Sequence, residues 1–191
     1  MIEVTVTDRD GRVVKRVAVN EDLFNEYLKR NMDMFTRWAL RIFGGIFGPT
    51  TVGGNWLVSF KDTGGTDRTQ KIKGSGGTTA MWFNTDYCNN RLWIAYGTGR
   101  TPPTRDDFKL EAKAGEGVAG ITVDEVQGTV TISASFTFAV SMTVYEVGLE
   151  WEACVSGYNV CGRVLLDRTV FPEGISVSAN QTLTVVYRFI F

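Results

Sequence analysis

Residues 128–147 read GTVTISASFTFAVSMTVYEV. Apolar residues recur among serines and threonines in this stretch, and β-branched and aromatic side chains dominate it, as is typical of β-strands. Similar runs separated by glycine-containing turns occupy residues 56–60, 79–83, 92–96, 149–154, 160–170 and 182–191. About eight strands spaced in this way predict a mainly β protein, an antiparallel β-sandwich of the jelly-roll type, rather than an α/β fold.

The first 49 residues have a different pattern. Residues 2–19 alternate apolar and polar side chains on either side of Asp8-Arg9-Asp10-Gly11, which predicts a β-hairpin. From Asn20 the apolar residues recur every three or four positions until Gly44-Gly45, which predicts one amphipathic α-helix. The apolar face of this helix would carry Phe24, Tyr27, Leu28, Phe35, Trp38 and Ile42. We therefore expect a docking or oligomerisation element at 1–49 and a β-sandwich domain at 50–191.

The composition of the chain excludes several classes of function. The chain has 20 basic and 21 acidic residues and no histidine. Without histidine, Ser-His-Asp and Cys-His nucleophiles, histidine general bases and histidine-based zinc sites are excluded. The balanced charge argues against binding of nucleic acid through phosphates. We expect a non-enzymatic protein without catalytic, cofactor-binding or metal-binding residues, and without a specific nucleic-acid partner.

The sequence also gives an expectation about location. The start of the chain, Met1-Ile2-Glu3-Val4-Thr5, lacks the apolar core of a signal peptide. The most apolar stretch, residues 38–47, contains Arg41 and is shorter than the roughly 20 residues that span a bilayer. We expect synthesis in the cytoplasm and no membrane partner.

The three cysteines leave two alternatives open. Cys154 and Cys161 flank residues 155–160, which resemble a hairpin loop. If both strands continue to the cysteines, the two side chains would be close enough for a disulfide. The alternative is a pair of reduced cysteines in a cytosolic product. Cys88 has no evident partner and is expected to be a free thiol.

Acidic and tryptophan residues suggest two kinds of site, each with a plainer explanation. Asp106-Asp107, Asp124-Glu125 and the row Glu146, Glu150 and Glu152 offer carboxylates for glycosidase-like chemistry. The alternation of acids with apolar residues over 147–152 instead favours a solvated face above a buried one. The tryptophans could form a sugar-stacking platform or be buried in the core, and burial is the favoured interpretation. They are Trp56, Trp82, Trp93 and Trp151.

Four stretches, residues 94–110, 144–149, 164–172 and 175–191, follow one another in a recognisable order. They contain a Gly-Thr/Pro loop closed by aspartate, then Glu-Val-Gly-Leu, then Leu-Leu-Asp-Arg-Thr-Val-Phe-Pro, and finally Leu-Thr-Val-Val-Tyr-Arg-Phe-Ile-Phe. This order resembles small β-sandwich virion structural proteins of tailed bacteriophages and similar viruses, of the tail-fibre, head-fibre or capsid-decoration type. The resemblance covers residues 92–191.

Three residues depart from that pattern. Asp167 stands where a small residue is usual, Asn180 where glycine is usual, and Glu150 where an apolar residue often follows Gly-Leu. Asparagine tolerates the left-handed backbone conformation almost as glycine does, so we expect a tight turn at Asn180. Phe171-Pro172-Glu173-Gly174 predicts another turn.

The resemblance implies a virion protein, made in the host cytoplasm, that acts through protein–protein assembly as a capsid-surface, fibre or tail component. Its partners would be other virion proteins and further copies of itself, in a symmetric homo-oligomer of which a trimer is one form. The alternative is a carbohydrate- or receptor-binding module at the tip of a viral fibre, bound to host-surface glycan. A carboxylate-based glycan hydrolase is the least favoured of the three.

Overall fold

The computed structural model describes residues 2–19, 55–73, 91–155 and 160–190. These ranges contain eleven strands: β1 Ile2–Thr7, β2 Val13–Val19, β3 Asn55–Lys61, β4 Asp67–Lys73, β5 Leu92–Gly97, β6 Lys113–Val118, β7 Gly120–Asp124, β8 Thr129–Thr137, β9 Met142–Val155, β10 Val160–Val177 and β11 Thr182–Ile190. The prediction of a mainly β, antiparallel protein is confirmed. The predicted helix, its apolar face and the proposed domain boundary fall between residues 20 and 54, outside the described residues.

The largest sheet has five strands in the order β2-β1-β11-β8-β7. The predicted N-terminal hairpin is present, with β1 antiparallel to β2, and Asp8 Oδ1 accepts hydrogen bonds from the backbone N–H groups of Asp10 and Arg12 in its turn. Strand β1 also pairs with β11, so that Val4 lies opposite Val185. The hairpin therefore completes the sheet that contains the last strand of the chain.

The second sheet has four strands in the order β10-β9-β5-β6, and β3 and β4 form a separate two-stranded hairpin. The chain passes from the four-stranded to the five-stranded sheet between β6 and β7, at Ala119. The turn of the β3–β4 hairpin lies against the four-stranded sheet, since the Thr63 N–H donates to the Arg163 carbonyl over 2.8 Å.

The two larger sheets share one hydrophobic core. Alternate residues of β1 and β11 point into it, which places Ile2, Val4, Leu183, Val185 and Tyr187 among side chains from the opposite sheet such as Ile94, Leu149, Trp151 and Val164. Each large apolar side chain that is fully buried contributes about 1.5–3 kcal/mol. Tyr187 anchors the last strand of the chain to this core, since its side chain is 3% exposed.

The two predicted turns differ in outcome. Asn180 has a φ of 64°, so it takes up the left-handed conformation expected for a tight turn. Residues 171–174, in contrast, do not end a strand. They form an irregularity within β10, because the ladder with β9 breaks after Val170 and resumes at Ile175.

Gly174 makes this irregularity possible. Its φ is +64°, and a Cβ atom there would lie 2.6 Å from both the Thr143 Cγ2 atom and the Tyr145 ring. We expect Gly174→Ala to lower the free energy of unfolding by about 1–3 kcal/mol, because both the backbone conformation and the packing disfavour a side chain. Urea unfolding would measure this. Gly120→Ala is the control, since its Cβ would meet only the Ser133 carbonyl oxygen at 3.9 Å, and an equal loss there would contradict the prediction.

Candidate functional site

The segment between β5 and β6, residues 98–112, folds over the outer face of the four-stranded sheet. Ile94 points into the main core, whereas its neighbour Ala95 forms a second buried cluster with Leu110 and Leu165. Gly148 leaves the space that this cluster needs, because a Cβ atom on it would lie 2.4 Å from the Leu110 Cδ1 atom. We refer to residues 98–112 as the covering loop.

Glu146 is the buried anchor of the covering loop. Its Oε1 atom accepts hydrogen bonds from the backbone N–H groups of Gly99 (3.1 Å) and Ala112 (2.7 Å). Its Oε2 atom accepts from the Glu111 N–H (3.0 Å) and from Arg168 Nε (2.8 Å). The side chain is 0% exposed. Four donors saturate this carboxylate, so it holds the two ends of the loop together.

Arg168 connects Glu146 to the rest of the loop. Besides its bond to Glu146, it donates from Nη1 to Asp107 Oδ2 at 2.7 Å and from Nη2 to Glu111 Oε2 at 3.4 Å. Burial alone would lower the pKa of Arg168, but its hydrogen bonds to Asp107 and Glu146 raise that pKa above its ordinary value. We call Glu146, Arg168, Asp107 and Glu111 the loop clamp.

The two outer members of the loop clamp also order the loop backbone. Glu111 Oε2 accepts from the backbone N–H groups of Arg100 and Thr101, and from the Thr101 hydroxyl, and these bonds lower the pKa of Glu111. Asp107 accepts from the N–H and the hydroxyl of Thr104. Asp107 therefore closes the Gly-Thr/Pro loop, as the resemblance implies.

A second charged cluster lies on the same face, around Glu150. The Glu150 side chain is 0% exposed, and Lys113 Nζ and Arg163 Nη1 approach its carboxylate oxygens at 3.6 and 3.7 Å. Both cations make shorter contacts to Glu116, at 2.7 and 2.5 Å. Neither Glu150 oxygen has a hydrogen-bond partner among the described residues, and burial raises the pKa of Glu150.

The prediction that Glu146 and Glu150 face solvent is therefore wrong. The alternation correctly placed them on one face, opposite the main core, but the covering loop and β6 bury that face. Sequence reasoning also did not single out Arg168 or Glu111. A signal for Arg168 was present, because an arginine within the apolar run 164–171 implies a partner that satisfies its charge.

The two tryptophans whose side chains are described lie on opposite faces of the four-stranded sheet. Trp151 is in the main core. Trp93 lies on the outer face, where the Arg163 guanidinium stacks on its ring at 3.7 Å and its Nε1–H donates to Glu152 at 3.0 Å. Trp93 and Trp151 therefore cannot share a sugar-stacking surface. The side chains of Trp56 and Trp82 lie outside the described residues.

Asp167 is an ionisable group inside the core. The ladder between β9 and β10 shifts between Leu165 and Asp167, which turns Asp167 inward, beside Tyr187. Its Oδ2 atom accepts from the Thr169 hydroxyl at 3.2 Å, whereas Asp167 Oδ1 and Tyr187 Oη lack a partner of good geometry among the described residues. Burial raises the pKa of Asp167 to about 7, and burial together with Asp167 raises that of Tyr187 well above 10.

Cys154 and Cys161 lie directly opposite each other in the ladder of β9 and β10. Their side chains, Cys88 and residues 156–159 lie outside the described part of the chain, so the disulfide stays a prediction. Within the described ranges, no three histidine, cysteine or acidic residues are arranged to hold a metal ion. In the same ranges, no helix is long and apolar enough to cross a membrane.

The four residues of the loop clamp thus bind one another and the loop backbone, and they hold the covering loop in place. Comparison with known proteins adds no further assignment: no family model matches the chain, and neither curated proteins nor solved structures give a significant match.

Proposed function

We propose that this chain is a non-enzymatic structural protein of a virus particle, a tail, fibre or capsid-surface component that acts through protein–protein assembly. Its described part would be an antiparallel β-sandwich of the jelly-roll type. Residues 1–49 would include the docking element that the sequence predicts, and the protein would be made in the host cytoplasm before it joins the particle.

One observation carries this proposal. The motifs behind the resemblance to phage virion proteins are distant in sequence, yet their polar residues meet in the loop clamp. Asp107 comes from the Gly-Thr/Pro loop, Glu146 from Glu-Val-Gly-Leu, and Arg168 from Leu-Leu-Asp-Arg. Gly148 of the second motif makes room for Leu110 at the end of the first. The motif set thus has a common physical purpose, which is to rigidify one face of the sheet.

The chemistry of the clamp favours a structural role over catalysis. Catalytic carboxylates need an oxygen that is free to exchange a proton or attack a substrate. The Glu146 oxygens are saturated by four donors. Besides their contacts with Arg168, Asp107 accepts two hydrogen bonds and Glu111 accepts three. A rigid, internally satisfied surface instead suits a protein that presents a constant shape to its neighbours in an assembly.

Mass spectrometry of purified particles from cells that produce this protein tests the proposal. We expect its peptides in particles at a constant ratio to the major capsid protein, and immunogold labelling on the particle surface in electron micrographs. Abundant protein in the cell lysate that is absent from density-purified particles would overturn the proposal. A glycan array with the purified chain tests the receptor-binding alternative independently.

A further inference from the structure

Exposed apolar side chains concentrate at one edge of the molecule. Val118, Ile121, Val123 and Val126 are 48%, 55%, 61% and 96% exposed. In the described part of the chain, only Val13, Val14 and Val140 are other large apolar residues with comparable exposure. Four valine and isoleucine side chains within nine consecutive positions form a patch of the kind that marks interaction surfaces.

Ile121 and Val123 of this patch lie on a strand at the edge of the five-stranded sheet. Strand β7 is an edge strand of the five-stranded sheet and, within the described ranges, pairs only with β8. No other described strand pairs with the opposite side of β7, which therefore presents a row of backbone donors and acceptors. Proteins commonly protect such edges with lysine, proline or a bulge. Residues 120–124, Gly-Ile-Thr-Val-Asp, have neither lysine nor proline, and their ladder with β8 has no register shift.

The order of residues around β7 is self-complementary. When two copies of β7 pair antiparallel about a two-fold axis at Thr122, Ile121 lies opposite the partner's Val123, and Val123 opposite the partner's Ile121. The two exposed apolar residues of β7 are thus matched with each other by a single symmetry operation, as an isologous interface requires.

The acidic residues select the same register. With the axis at Thr122, Asp124 lies opposite the partner's Gly120 and Glu125 falls near the partner's Ala119. An axis at Val123 would instead place Glu125 opposite Ile121. An axis between positions 124 and 125 would set the two acidic residues against each other, which is unfavourable for like charges in cross-strand pairs.

We propose that β7 is a self-association edge, through which two copies of this chain pair antiparallel about a two-fold axis at Thr122 and join their five-stranded sheets into one ten-stranded sheet. This inference stands whether or not the protein belongs to a virus particle. It also specifies a two-fold contact, which differs from the trimer considered from the sequence. Because a single short strand from each copy is buried, the isolated dimer is weak and its dissociation constant is about micromolar or higher.

Sedimentation velocity over a concentration series tests the proposal on the full chain. We expect a monomer–dimer equilibrium, with Ile121→Lys/Val123→Lys weakening the dimer at least about tenfold, because the substitution buries like charges and removes apolar contacts. Val13→Lys/Val14→Lys is the matched control, since it places the same two charges at exposed valines of β2 and is expected to leave the equilibrium unchanged. Far-UV circular dichroism verifies that both variants are folded.

A cross-link tests the register. Residues on the two-fold axis face their own copies at a distance that a disulfide can span. With the three native cysteines replaced by alanine, Thr122→Cys is therefore expected to oxidise to a covalent dimer. Thr131→Cys, on the neighbouring strand β8, is expected to remain monomeric. A monomer at all concentrations, an oligomer unaffected by the β7 lysines, or equal cross-linking of both cysteine variants would overturn the proposal.

Discussion

Arg168→Met is expected to lower the free energy of unfolding by about 3–5 kcal/mol, the loss typical of breaking a buried ion pair from one side. Glu146 is completely buried and would keep its three backbone donors but lose its only cation among the described residues. Asp107 and Glu111 would lose the same partner. Urea unfolding at pH 7 measures the loss, and hydrogen exchange of residues 99–112 shows whether the covering loop detaches first.

Arg16→Met is the matched control for this prediction. Arg16 also contacts a carboxylate, that of Glu3, at 2.8 Å, but its side chain is 64% exposed. An exposed ion pair of this kind contributes little to stability, because water screens it. If the two substitutions lowered stability equally, the loop clamp would have no special role. The double variant Glu146→Met/Arg168→Met is expected to lose less than the sum of the single variants, because it leaves no buried charge without a partner at these two positions.

Asp167→Asn is expected to stabilise the protein above pH 7. The pKa of Asp167 rises from 3.8 to about 7 in the folded protein because the side chain is buried. The folded state therefore holds this proton more tightly than the unfolded state does. The stability that comes from the protonated carboxyl is fully present below about pH 4 and is lost as the pH rises to about 7. Asparagine resembles the protonated form and cannot ionise.

The stability difference between Asp167→Asn and the unsubstituted protein should therefore grow between about pH 4 and pH 7 and remain constant at higher pH. A shift of about three pH units corresponds to a maximum of about 4 kcal/mol. Urea unfolding at several values from pH 4 to pH 8 measures this difference. Tyr187, the ionisable neighbour, stays neutral over this range because its pKa is raised well above 10.

Asp67→Asn is the control for this pH series. The Asp67 side chain is 82% exposed, so the substitution is expected to change stability little at any of these pH values. A destabilised Asp167→Asn at pH 8, or a difference from the unsubstituted protein that does not change between pH 4 and pH 8, would contradict the assignment of Asp167 as a buried acid.

The sequence pattern was sufficient to predict those features that depend on residues close together in the chain. The alternation of residues 2–7 and 182–187 predicted strands with one buried face, and both β1 and β11 bury that face in the core. Asn180 could be predicted because its left-handed turn depends on the conformational preference of one residue. The closure of the Gly-Thr/Pro loop by an aspartate could be expected because Asp107 and its donors at Thr104 are only three residues apart.

The candidate site could not be predicted in the same way. The period of two placed Glu146 and Glu150 on one face, but whether that face is solvated depends on the covering loop, whose residues come from elsewhere in the chain. Asp167 turns inward only because the ladder shifts beside Leu166, and a shift of one residue moves a side chain to the other face of a sheet. For Cys154 and Cys161, the sequence correctly predicted that the two residues lie opposite each other in the ladder. Whether they form a disulfide stays a prediction.

The sequence alone was enough to predict that this protein is mainly β and that its N-terminal hairpin forms. It also placed Glu146, Glu150 and Glu152 on one face of a strand. These properties depend on side chains that are neighbours along the chain. The three-dimensional structure was needed to show that this face is buried, that Arg168 joins acids from the covering loop and from β9, and that no described strand pairs with the outer side of β7. Burial and charge pairing depend on which distant segments meet, and a single sequence does not contain that information in its local pattern.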